Sequence, residues 1–146
     1  MHGYSRLLKR AQSGENLGYD VFVCRLLNGE SEPLDQGVMN AVLDPYVTAR
    51  DPEHGFLQLT AGDGGQADVY TSTDTNITIS RFSVGEILDV LADLLKRLGA
   101  VLVLPGGTVI LQRAADRAHL SQDLKDGWSH VVAPTGEEIA EAIRMS

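Results

Sequence analysis

The sequence has a single cysteine, no long apolar run and too few bases to balance its acids. Cys24 alone cannot close an internal disulfide, which agrees with a reducing compartment. The longest uninterrupted apolar stretch, residues 100–104, falls far short of the roughly 20 residues that span a bilayer. Twelve Lys+Arg against 20 Asp+Glu give a formal charge of −8, which argues against nucleic acid or an anionic membrane as the principal partner. Arg6, Lys9 and Arg10 are followed by Gln12, Ser13, Gly14, Glu15 and Asn16, not by the apolar core of a secretory signal, so a cytoplasmic protein is expected.

What is present fits one folded domain over residues 1–146. A chain of 146 residues with 43% hydrophobic and 22% charged residues buries roughly 70% of its unfolded surface, enough for a core without disulfides or metal. Its 15 glycines show no repeat and mark no linker.

Tyr4, Leu7, Leu8 and Ala11 have helical spacing, which predicts a short helix over residues 4–11. Residues 21–27 read as a buried strand interrupted by Arg25, and Leu34, Val38, Met39, Val42 and Leu43 as a helix between Pro33 and Pro45. Three short strands follow, around Phe56–Leu59, Val69–Tyr70 and Ile77–Phe82, joined by polar turns. Over residues 84–98, Val84, Ile87, Leu88, Leu91, Leu94, Leu95 and Leu98 share one helical face. Ser83 with Glu86 predicts a capping box there, and Gly99 a left-handed end. Residues 100–104 and 108–112 form a hairpin around Pro105-Gly106-Gly107, residues 116–125 a helical turn, and residues 129–133 a last strand. Thr135 and Glu138 cap a C-terminal helix. The class expected is α+β: an antiparallel or mixed sheet of about six to seven short strands with helices packed on one face.

No catalytic residue, cofactor site or metal site carries a recognised motif. Gly62-Asp63-Gly64-Gly65 precedes a strand, not a helix, and lacks the lysine of a phosphate loop, so it reads as a hairpin turn. His2, His54, His119 and His130 have no zinc spacing; the best group for a hard cation is Asp51, Glu53 and His54 with Asp63 or Asp68. Cys24 lies in an apolar strand, where a thiol is inert packing. Asp63 and Asp68 could pair for acid–base work only if they converge. Arg25 and Arg81, each within an apolar strand, are either exposed, salt-bridged or anion anchors.

Charge distribution is the most informative feature. Residues 30–74 hold nine carboxylates, Glu30, Glu32, Asp35, Asp44, Asp51, Glu53, Asp63, Asp68 and Asp74, against Arg50 alone, while the remaining residues balance. The segment is either a solvated face or a docking surface for a basic protein. Residues 54–70, with the leucine-rich helix after them, resemble small uncharacterised proteins of high-GC Gram-positive bacteria. In size and acidity the chain is also similar to immunity proteins that neutralise bacterial toxins. The first resemblance implies no activity, and the second implies a protein partner.

The leading expectation is therefore a non-enzymatic protein-binding module that uses Asp44, Asp51, Glu53, Asp63, Asp68 and Asp74, with Arg81 as a possible anchor. A second is a small-molecule-binding or catalytic domain with a pocket between sheet and helices, lined by Tyr70, Arg81 or Trp128. A third is a homo-oligomer joined at a sheet edge or an exposed helix.

Overall fold

The computed structural model describes residues 20–71 and 73–146. The helix predicted over residues 4–11 lies outside them. The order is β1 (Val21–Leu27), β2 (Glu30–Glu32), α1 (Gln36–Leu43), β3 (Val47–Asp51), β4 (Phe56–Thr60), β5 (Gln66–Tyr70), β6 (Asn76–Ser80), α2 (Glu86–Leu98), β7 (Val101–Leu104), β8 (Thr108–Leu111), α3 (Gln122–Lys125), β9 (Ser129–Val132) and α4 (Gly136–Met145). Single 3-10 turns add Asp44–Tyr46, Pro52–His54 and Ala114–His119.

Among the described residues the sheet has nine strands, not six or seven, in the order β3-β4-β5-β6-β1-β7-β8-β9, with β2 paired to the far end of β1. Neighbours are antiparallel except β8 and β9, which run parallel and make the sheet mixed. The two unexpected strands are polar. Glu30-Ser31-Glu32 has no apolar residue and Val47–Asp51 barely alternates, so backbone pairing with an apolar neighbour, not side-chain burial, holds them.

Alternation along the strands assigns two faces. Val21, Val23, Leu59, Val69, Ile77, Ile79, Leu102 and Ile110 point into the main core, where α1, α2 and α4 cover them. A smaller cluster on the other face joins Val101, Val109, Leu111 and Leu120 with Cys24, Leu124 and Trp128. Helices α1, α2 and α4 thus share one face as expected, whereas α3, through Leu124, packs on the other. The crossover between the parallel strands β8 and β9, residues 112–128, covers the other face, because a parallel pair cannot be joined by a tight turn.

Helix α2 buries Ile87, Leu88, Leu91, Leu94, Leu95 and Leu98 along the predicted stripe, and Gly99 ends it at φ 66°. Its start differs from expectation. Gly85 occupies the cap position, and Ser83 Oγ instead accepts from Gln66 N (3.0 Å), tying the helix approach to β5. The N-cap of α4 forms as predicted, with Thr135 Oγ1 accepting from Glu138 N (3.1 Å).

Candidate binding cleft

The strand registers place several turns at one end of the sheet. Cys24 lies opposite Asn76 and Val101, and Tyr70 opposite Phe56 and Thr78. The start of β4, the end of β5 and the start of β6 therefore meet there, beside the end of β1. Thr71 N donates to Gly55 O (2.7 Å), which joins the β5–β6 connection to the Pro52–His54 turn. Leu34 N donates to Asp74 O (2.8 Å), which brings the approach to α1 against the same connection.

Between α1 and the Pro52–His54 turn lies a cleft of about 300 Å³. Met39, Phe56 and Leu57 give it an apolar floor, and Gln36 and Asn40 line it from α1. Asp35 is the chain neighbour of Gln36, and Asp51 and Glu53 flank the lining residue Pro52. Arg50, also in the wall, is paired with Asp44 (2.8 Å).

Of the residues singled out in the sequence, Asp44, Asp51, Glu53 and Asp74 gather around this end. Glu53 and Asp74 have no side-chain hydrogen bond or ion pair among the described residues. Asp63 and Asp68 do not join them. Asp63 sits in the β4–β5 turn at the opposite end of β4, engaged with the first residue of α2. Asp68, 4% exposed, lies on the sheet face away from α2 and is paired with Arg81, whose Nε donates to it at 2.7 Å. The two carboxylates face different elements, so the acid–base pair is not formed.

Asp51, Glu53 and His54 converge, each with a ligand atom within 4.8 Å of the others, and His54 Nδ1 lies 2.8 Å from Asp51 Oδ2. This trio could hold a divalent cation, but it lacks the fourth ligand expected of Asp63 or Asp68. An exposed Asp–His hydrogen bond on a turn is stable without an ion.

Tyr70 lies on the same sheet face as Asp68 and Arg81, away from the helices, and Trp128 packs in the smaller cluster. Between the sheet and α2 the core leaves only about 10 Å³, lined by Leu43, Leu59, Val69, Ile79 and Leu91, too small for a ligand. The cleft beside α1 draws on three separate segments. Gln36, Asn40 and Phe56 give no local signal of sharing a wall. Comparison with protein-family models, curated proteins and solved structures finds no match.

Proposed function

We propose that the protein is a non-enzymatic binding module that docks a basic segment of a partner protein into the cleft between α1 and the Pro52–His54 turn. The observation that carries this reading is an apolar floor, Met39, Phe56 and Leu57, beside Asp51 and Glu53. A lysine or arginine suits such a site because its aliphatic stem covers apolar surface while its charged head reaches carboxylates. The surrounding acids Asp35 and Asp74 add to the field that would draw a basic partner in and disfavour acidic ones. Arg50 does not oppose this, being neutralised by Asp44. The likeness in size and acidity to toxin-neutralising immunity proteins supports the same kind of partner.

The test replaces Asp51, Glu53 and Asp74 by Lys together and places a photo-crosslinking residue at Asn40. Asp63 and Asp68 are left intact because both hold the fold. The expected result is a basic protein captured from the source lysate by the wild type, crosslinked at position 40, released as salt rises and lost by the triple variant. A crosslinked partner that the triple variant retains, a second copy of the chain at position 40, or no crosslink there would overturn the reading.

A further inference from the structure

The other half of the same sheet end is basic. Two adjoining hollows of about 170 and 290 Å³ share Gly99, Arg113 and Asp116 in their walls. Arg25 and His119 complete the polar lining of the smaller, Lys96 and Gln112 that of the larger. In a chain of charge −8, three permanent cations and a histidine here face, among the described residues, a single lining carboxylate. That carboxylate is used locally: Asp116 accepts from the Arg113 backbone N (3.2 Å) and pairs with its guanidinium (3.4 Å), so the excess positive charge rests on Arg25 and Lys96.

Arg25 separates from Arg81 at this point. Arg81 has Asp68, whereas the side chain of half-buried Arg25 makes no ion pair or hydrogen bond among the described residues. Glu32 stands opposite it across β1 and β2 and still makes no ion pair with it. A guanidinium that lines a hollow without a counter-ion is available to an anion, which would gain charge-assisted hydrogen bonds from it. Lys96 is likewise unpaired among the described residues. His119 Nδ1 accepts from Asn28 N (3.3 Å), which leaves the neutral ring's proton on Nε2 as a donor. Two carbonyls at the end of α2, Leu95 O and Lys96 O, are occupied by Ala100 N and Gly99 N.

One group in the wall needs the opposite kind of partner. Gln112 is 7% exposed, its Nε2 donates to Ala133 O (3.1 Å), and its Oε1 is buried with no partner among the described residues. Buried acceptors are satisfied in nearly all native structures, so this oxygen marks a place for a donor. A water or the hydroxyl of a ligand can supply one, whereas a fully deprotonated anion cannot.

We infer that these hollows bind a small phosphorylated molecule bearing free hydroxyls. Its phosphate sits between Arg25, Arg113 and His119, and its hydroxyl-bearing body lies beside Lys96 and Gln112. Guanidinium forks match phosphate oxygens, and donors arriving from β1, from the start of the 3-10 turn and from its end can surround a tetrahedral dianion. The larger hollow exceeds what a bare phosphate fills. The site is independent of the acidic cleft, whose residues it does not share.

Titration calorimetry of the full chain with ribose 5-phosphate, ribose, inorganic phosphate and gluconate tests this. Ribose 5-phosphate is expected to saturate and to bind more tightly than the other three. Arg25→Gln should weaken it roughly tenfold, as for loss of one charge-assisted contact, and Arg144→Gln, at a cation paired with Glu141 on α4, should leave it unchanged. Gln112→Met should leave inorganic phosphate binding intact while shrinking the preference for ribose 5-phosphate. Should Arg25→Gln fail to fold, the exposed Lys96→Gln decides, with weaker binding expected. No saturation by ribose 5-phosphate up to about 10 mM, equal affinity for gluconate, or indifference to the Arg25 and Lys96 changes would overturn the inference.

Discussion

Asp63 and Glu86, 23 residues apart, each satisfy the other's backbone N–H: Asp63 N donates to Glu86 Oε2 (3.0 Å) and Glu86 N to Asp63 Oδ2 (3.0 Å). This is the reciprocity of a capping box, built between the β4–β5 turn and the start of α2 instead of within one helix turn. Asp63 Oδ1 also accepts from Gly65 N (2.9 Å), so one carboxylate fixes both the turn and the helix. A Cβ at Gly85 would lie 2.6 Å from Asp63 Oδ2, and Gly85 has φ 124°, a region open to glycine alone.

The arrangement predicts an acid-dependent loss of stability. The Glu86 N–H first, then the Gly65 N–H, hold the Asp63 carboxyl below its ordinary value. A group whose folded pKa is depressed contributes stability above its unfolded value, about 3.9 for Asp, and loses it as pH falls through the folded value. Denaturant unfolding of wild type and Asp63→Asn should therefore show a constant gap above about pH 5 that narrows below about pH 4. Gly85→Ala should cost about 1–3 kcal/mol through backbone strain. A gap unchanged down to about pH 2 would mean that the carboxylate's charge contributes nothing.

The Asp68–Arg81 pair predicts an asymmetric mutant cycle. Asp68 is 4% exposed while the Arg81 side chain is 67% exposed, so the two partners lose different amounts of hydration on pairing. Removing Arg81 strands a buried carboxylate; removing Asp68 leaves an arginine that water can solvate. Arg81→Gln should thus lower the melting midpoint more than Asp68→Asn, and the double variant should recover part of the loss. Equal single effects that add would show that the pair is not coupled.

Cys24 should be nearly unreactive in the folded protein. Burial beside the smaller cluster pushes its thiol up to about 11 from an ordinary 9.0, which cuts the thiolate fraction near pH 8 about hundredfold. Timed alkylation with iodoacetamide should label the native chain at least that much more slowly than the urea-unfolded chain. Comparable rates would place Cys24 at the surface.

The sequence showed what local periodicity encodes and missed what distant partners decide. The stripe from Ile87 to Leu98 was legible because one face of α2 is buried along its whole length. Strands β2 and β3 were not, since Glu30-Ser31-Glu32 and Val47–Asp51 pair through backbone and bury little. Ser129–Val132 read as a strand, but nothing in it announced the parallel pairing with β8. The acidic run was visible as composition, yet Asp63 and Asp68 left the proposed surface because their partners stand 23 and 13 residues away. Arg25 and Arg81 looked alike in sequence for the same reason. Only the fold gives one of them Asp68 and the other an open hollow.

Gly136 sets the sharpest test of how α2 and α4 pack. As the first residue of α4 it would ordinarily be improved by alanine, which favours a helix by roughly 1 kcal/mol. Here a Cβ would lie 2.6 Å from Asp89 N and 2.8 Å from Leu88 C, both backbone atoms of α2 that no side-chain rotation can move. The neighbouring Ile139 and Ile143 are almost fully buried, so α4 cannot withdraw without opening the core. Overpacking of this kind typically costs 1–3 kcal/mol, about as much as or more than the helix gain. Gly136→Ala should therefore lower stability by up to about 2 kcal/mol, read as a fall in the urea midpoint without a change in slope. A raised midpoint would show that α4 can shift away from α2, and that the close approach is not what fixes the helix.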